Sequence, residues 1–234
     1  MTTFVLVHGA WSGAHGFRDL RRLLQAKGHD VFTPALTGIG ARAHLASPQV
    51  NLDTHIQDVV NLVWYEDLRD IVLLGFSYGG MVVTGALEHI ADRIAHLVYV
   101  DAFVPQHGQS VSDLVSGRKA PTGLGAPAFL PPTPREFEDP AQAAFHAPRR
   151  VAQPLATFAQ PVRLNQALES YPFSLTYVRA TEDDHTQQSD QQFAKAAAHA
   201  QASERWDYHE VDTNHMIPVN RPEALATILL DKAN

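Results

Sequence analysis

The sequence predicts an α/β protein built on a doubly wound, mostly parallel sheet, and three features carry that expectation. Short, solidly apolar runs recur along the 234 residues, among them Phe4 to Val7, Ile71 to Leu74 and Leu97 to Val100. Longer segments of helical periodicity separate them. Within the runs, polar and apolar residues do not alternate, so a sheet made of them is covered on both faces, as crossover helices require.

Phe4 to Val7 is rich in strand formers and ends at His8-Gly9. Phe17 to Lys27 places Phe17, Leu20, Leu23 and Leu24 on one helical face, with Gly28 positioned to stop the helix. Val31-Phe32 starts a second strand. Leu52 to Trp64 reads as an amphipathic helix with Ile56, Val59, Val60 and Val63 turned inward. Ile71 to Leu74 is a third strand, running through Gly75 into a long helix from Ser77 to Ile90. Leu97 to Val100, Leu175 to Val178 and Trp206 to Val211 follow as strands, and a last helix runs from about Pro222 to Leu230. No internal repeat is visible, and a chain of this length forms one compact domain by default.

From Pro105 to Tyr171 the rhythm breaks. This stretch carries many of the chain's 15 prolines, which prevents long helices. Yet Phe129, Leu130, Phe137, Phe145, Leu155, Phe158 and Leu164 are too many large apolar groups for a solvated linker. Residues 105–171 are therefore expected to form a small lid over the C-terminal edge of the sheet, with 1–104 and 172–234 as the core.

Composition narrows the partners. Lys and Arg number 18 against 25 Asp and Glu, a formal charge of -7, and no basic run stands out. Nothing here recruits nucleic acid or an anionic membrane face. The absence of cysteine excludes disulfides, thiolate metal sites and thiol nucleophiles. His185 beside Asp183 and Asp184 lacks metal-binding spacing of the H-E-x-x-H kind, so neither metal nor cofactor is expected. The first residues read as a strand rather than a signal peptide, and no apolar run approaches the roughly 20 residues of a spanning helix. A cytoplasmic enzyme is the expectation, with a homodimer as one form of assembly.

Gly75-Phe76-Ser77-Tyr78-Gly79 fits G-x-S-x-G, entered from an apolar strand and left through a helix. That context marks a nucleophile elbow, the sharp turn that exposes a serine hydroxyl in the α/β-hydrolase fold. Small flanking residues allow the strained turn, and the helix N-terminus favours developing negative charge. The Tyr78 amide should be one oxyanion donor, and the Ala10 amide in the loop His8-Gly9-Ala10-Trp11 the other. His8 reads as a turn residue of that loop.

Among 13 histidines, position selects His215, which lies in the loop after the last strand, where this fold carries its base. The acid should follow the preceding strand, where Glu182, Asp183 and Asp184 stand. Asp101, at the end of the strand before the lid, is a further candidate. Spacing alone leaves these open.

Taken together, Phe4 to Trp11, Gly28 to Val31, Gly75 to Gly80, Ala102 to Pro105, Thr181-Glu182-Asp183 and Asn214-His215-Met216 resemble the esterase and hydroxynitrile-lyase group. That group includes the plant salicylate-binding methyl esterases and bacterial carboxylesterases. The resemblance implies Ser77 as nucleophile, His215 as base, and Ala10 and Tyr78 as oxyanion donors. It also implies Asp183 as the acid, six residues after Tyr177. Phe76 stands where relatives often carry His or Glu, which makes the wall beside the site more apolar.

Three functions compete: ester hydrolysis through an acyl-enzyme, hydroxynitrile cleavage on the same residues, and ligand reception without catalysis. The lyases resembling this chain carry Thr where Gly9 stands and Lys where Met216 stands, so the esterase is preferred. Its substrate is expected to be a small hydrophobic ester, in a pocket lined by Trp11, Phe76, Tyr78, Phe103, Phe129 and Phe158. A histidine base predicts that kcat/KM rises through an apparent pKa of about 6 to 7.5.

Overall fold

A computed structural model of the chain describes residues 1–116, 127–182 and 188–233. The strands are β1 (Thr3–Val7), β2 (Asp30–Phe32), β3 (Ile71–Phe76), β4 (Ile94–Val100), β5 (Phe129–Leu130), β6 (Gln153–Pro154), β7 (Ser174–Ala180) and β8 (Trp206–Val211). The helices are α1 (Arg18–Ala26), α2 (Leu52–Tyr65), α3 (Gly79–Ile90), α4 (Val111–Ser116), α5 (Pro140–His146), α6 (Ala156–Ala159), α7 (Gln188–Ala202), α8 (Ile217–Asn220) and α9 (Pro222–Asp231).

Six strands form one parallel sheet in the order β2-β1-β3-β4-β7-β8. Side chains alternate across it, so each strand supplies two cores. Val5, Val7, Leu73, Leu97, Tyr99, Leu175 and Tyr177 pack with α2, α3 and α7. Phe4, Leu6, Val72, Leu74, Val98, Val100 and Val178 pack on the opposite side with α1, α8 and α9. Burial on both faces explains why the inner strands read as largely apolar runs. Helix α2 starts at Asn51, whose Oδ1 accepts the Thr54 N–H at 3.0 Å while Thr54 Oγ1 accepts the Asn51 N–H at 3.3 Å.

The chain steps from β1 outward to β2, then crosses back to β3 on the other side of β1. The crevice between β1 and β3 is therefore a topological switch point, where open α/β sheets bind ligands beyond the carboxyl ends of their strands. The two loops that leave these strands carry His8 to Trp11 and Ser77.

Between β4 and β7 the chain builds α4, the antiparallel pair β5–β6, α5 and α6. Phe158 of α6 stacks on Trp11 at 5.4 Å and tilts against Tyr78 at 5.4 Å, which seats this insertion on the switch-point loops. Residues 117–126 of the expected lid, and Asp183, Asp184 and His185, lie outside the described residues. Helix α7 has no counterpart in the sequence reading. Among the described residues, no helix is long and apolar enough to cross a membrane.

Candidate active site

Ser77 sits in the turn between β3 and α3 with φ +55. A residue bearing a side chain pays about 1–2 kcal/mol for that left-handed conformation, so a helix cannot run through it. The helix expected from Ser77 accordingly begins at Gly79. The turn is pinned by the Ser77 N–H donating to Val100 O at 3.1 Å and by Ser77 O accepting from Gly80 and Phe103 N–H at 3.1 and 3.2 Å. Small residues are required around it. A Cβ on Gly75 would lie 2.7 Å from Val83 Cγ2, and one on Gly9 would lie 2.9 Å from Ser77 Cβ. Among the described residues, five non-glycine residues have positive φ, and three of them (Trp11, Ser77 and Asp101) meet here. Strain of this kind collects at functional sites.

His215 reaches Ser77 from the loop after β8. Its Nδ1 lies 2.6 Å from Asp101 Oδ2 and its Nε2 lies 3.0 Å from Ser77 Oγ. A carboxylate only accepts, so Nδ1–H donates to Asp101 and Nε2 is left to accept the Ser77 hydroxyl proton. Asp101 is fully buried, and its other oxygen accepts from Arg179 Nη1 at 2.7 Å and from the Ala180 N–H at 3.4 Å.

The carboxylate on His215 is thus Asp101 rather than Asp183, the acid that the resemblance implies and that lies outside the described residues. Sheet order explains the correction. Strand β4 is bonded directly to β3, with Phe76 opposite Val100, so the residue after Val100 emerges beside Ser77. Its own N–H donates to Val178 O at 2.8 Å, turning the Asp101 side chain toward the end of β7 and the His215 loop.

The imidazole is clamped between two rings. Phe76 stacks on one side at 4.9 Å and Phe193 of α7 on the other at 5.0 Å, its plane within 1° of parallel to the imidazole. Burial pushes His215 down to about 4, the positive charge of Arg135 adds to the fall, and the bond and charge of Asp101 oppose it.

A pocket of about 340 Å³ opens onto Ser77. Of the residues read as its walls, Trp11, Tyr78, Phe103 and Phe158 line it, together with Ala10, Val111, Val115, Leu130, Arg135 and Phe193. Phe76 and Phe129 are not among its walls. Phe76 lies behind His215, in edge contact with Phe17. Phe129 gives way to its neighbour Leu130, because consecutive strand residues point to opposite sides. Among the described residues, the Ala10 and Tyr78 amides donate to no backbone or side-chain acceptor, which leaves both available to an oxyanion. A larger groove of about 770 Å³ lies on the far side of Phe103 and does not include Ser77.

His8 is a fastener of the first loop. Its Nδ1–H donates to Gly9 O at 3.0 Å, its Nε2 accepts the Leu36 N–H at 3.3 Å, and burial pushes it down to about 4. Among the described residues, no group of three His, Asp or Glu could hold a metal ion. Arg179, Phe193 and Arg135 went unread in the sequence. Only Phe193 left a periodic trace, through its helical spacing to Ala197 and Ala200.

A sequence model described as the Alpha/beta hydrolase family matches residues 4–228. The chain belongs to this family. Within the alpha/beta hydrolase family it is 44% identical over 179 residues to the carbendazim hydrolyzing esterase of Nocardioides sp. (strain SG-4G), covering 70% of this chain and 74% of that one. The pheophorbidase of Raphanus sativus is 36% identical over 112 residues, covering 47% of this chain and 42% of its own. An extracellular alpha/beta-hydrolase from a Paenibacillus species, reported to share homology with Tobacco Salicylic Acid Binding Protein 2, superposes with a TM-score of 0.74. It is 25% identical, over 99% of both chains. The methylesterase protein MES16 from Arabidopsis superposes at 0.79 over 100% of this chain and 99% of that one, with 22% identity, a likeness of fold. Family and relatives together make this alpha/beta hydrolase family member a hydrolase.

Proposed function

We propose that the protein is a serine carboxylic-ester hydrolase working through an acyl-enzyme, with Ser77 as nucleophile, His215 as base and Asp101 as orienting acid. The observation that carries this reading is the unbroken hydrogen-bonded line from Ser77 Oγ through His215 to Asp101 at the switch point. His215 Nε2 takes the Ser77 proton as Oγ attacks the ester carbonyl, and Asp101 stabilises the imidazolium. The tetrahedral oxyanion is held by the Ala10 and Tyr78 amides. Collapse expels the alcohol, protonated by His215 Nε2–H, and leaves an acyl ester on Ser77. Water, activated by the same imidazole, then releases the acid and restores the serine.

A small, hydrophobic ester suits a pocket of about 340 Å³ with mostly apolar walls. The methylesterase names among the plant relatives favour a small alcohol part. Residues 105–171 serve as the lid in this reading, on a core of 1–104 and 172–234, and a cytoplasmic location belongs to it. The lyase alternative gains nothing from the site: Met216 packs in the apolar layer beside α8 and α9 instead of offering a cation to the pocket.

Purified protein should hydrolyse nitrophenyl esters, fastest for short acyl chains, with turnover falling from acetate and butyrate towards long acyl groups. Failure to release acid from any member of such a panel would sink the esterase reading.

The pH profile gives a second test. The base works in its neutral form, so kcat/KM rises with pH through the pKa of free-enzyme His215. Because burial holds that group below 6.5 and towards about 4, the rise should be complete at a lower pH than the sequence alone suggests, with activity retained at pH 5. A midpoint above 6.5 on a non-ionising ester, with stability checked, would show that His215 is not held neutral by its surroundings.

A further inference from the structure

The oxyanion loop is held from the insertion at three points, all on Trp11. Its N–H donates to Gln153 Oε1 at 2.8 Å, its C=O accepts the Val151 N–H at 3.0 Å, and its indole Nε1–H donates to Leu130 O at 3.1 Å. Gln153 is fully buried and is itself fixed: Nε2 donates to Thr157 Oγ1 at 2.8 Å, and that hydroxyl donates to Pro154 O at 2.8 Å. The amide therefore has one orientation, with its oxygen toward Trp11.

Trp11 takes φ +57, a conformation that a residue with a side chain keeps only where its surroundings impose it. Gln153 supplies that imposition through the peptide joining Ala10 to Trp11. With the Trp11 N–H engaged by Gln153, the Ala10 N–H is left to face the pocket that Ala10 lines together with Ser77. The Ala10 N–H lies in the preceding peptide, joined to the Ala10–Trp11 peptide through the Ala10 Cα. Relaxation of Trp11 out of the left-handed region would therefore shift that Cα and move the Ala10 N–H off line with it. We infer that Gln153 is a positioning residue for the oxyanion hole, its side-chain oxygen fixing the Trp11 amide so that the Ala10 N–H stays aimed beside Ser77. The inference rests on the serine-esterase reading above.

Loss of an oxyanion donor costs about 10²–10³ in kcat, and a misaimed one costs part of that. Gln153→Leu is therefore expected to lower kcat by about 10–100-fold with KM within about threefold, since the ground-state ester does not use the hole fully. Affinity for a trifluoromethyl ketone, whose hemiketal oxyanion occupies the hole, should fall by the same factor as kcat/KM. Thr157→Val, which keeps Gln153 but removes its anchor, should lose less in the same direction. A folded Gln153→Leu with wild-type kcat overturns the inference. So does a lowered melting temperature with kcat and ketone affinity unchanged, the signature of packing alone. If Gln153→Leu does not fold, Thr157→Val decides by the same two measurements, and unchanged values for it overturn the inference. Wild-type protein that hydrolyses no ester would take down the functional reading and this inference together, whereas an unimpaired variant of an active enzyme takes down this inference only.

Discussion

Ser77→Ala is expected to lower kcat on the best ester by on the order of 10⁶, the scale on which a nucleophile acting as one unit with its base is lost. The hydroxyl is the atom that His215 Nε2 faces at 3.0 Å, and no other described hydroxyl bonds to that nitrogen. The fold should survive. The turn is held through the Ser77 backbone, by bonds to Val100, Gly80 and Phe103 that the substitution leaves in place. Alanine is as strained as serine at φ +55, so the change adds no new backbone cost. Circular dichroism and melting curves should match wild type, and a fluorophosphonate that labels wild type should leave the variant unlabelled. Hydrolysis near the wild-type rate in a clean preparation of Ser77→Ala would end the serine mechanism altogether.

How much of this site was legible in the chain depended on how local its signals were. The four inner strands stood out because both of their faces are buried; the edge strands β2 and β8 are only partly buried, yet β8 falls on the six residues read from the sequence. Ser77 was legible because strand, turn and helix are contiguous around it. His215 was legible because a loop after the last strand is a position in the chain as well as in space. The acid was different. Four carboxylates end two strands that lie next to each other in the sheet, and their reach to His215 depends on strand order and on the bend at Asp101, φ +39. Neither leaves a trace in composition or spacing. Helix α7 was missed because its buried face is made largely of alanine, at Ala197 and Ala200, which gives weak amphipathic contrast. Its one large inward residue, Phe193, turned out to stack on His215. Leu130 lines the pocket where Phe129 does not, and a strand of two residues leaves no phase in the sequence to tell them apart.

Asp101→Asn is expected to lower kcat by about 10⁴ while Asp183→Asn costs little. The geometry around Asp101 says how the loss arises. An amide at this position has one acceptor oxygen and one donor nitrogen, and it must choose which end faces which neighbour. Arg179 Nη1 at 2.7 Å and the Ala180 N–H at 3.4 Å can only donate, so they hold the oxygen on their side. The NH₂ is then turned toward His215 Nδ1, which must become an acceptor, and the ring proton moves to Nε2. A protonated Nε2 cannot take the Ser77 proton, so the nucleophile stays a neutral alcohol although every side chain is in place. Because Arg179 keeps an acceptor, the variant should remain folded with a modest fall in melting temperature. The downfield proton resonance expected for Nδ1–H against a carboxylate at 2.6 Å should vanish. Near wild-type turnover in Asp101→Asn, together with a crippled Asp183→Asn, would move the acid's role to the loop after β7 and leave Ser77 and His215 where they stand.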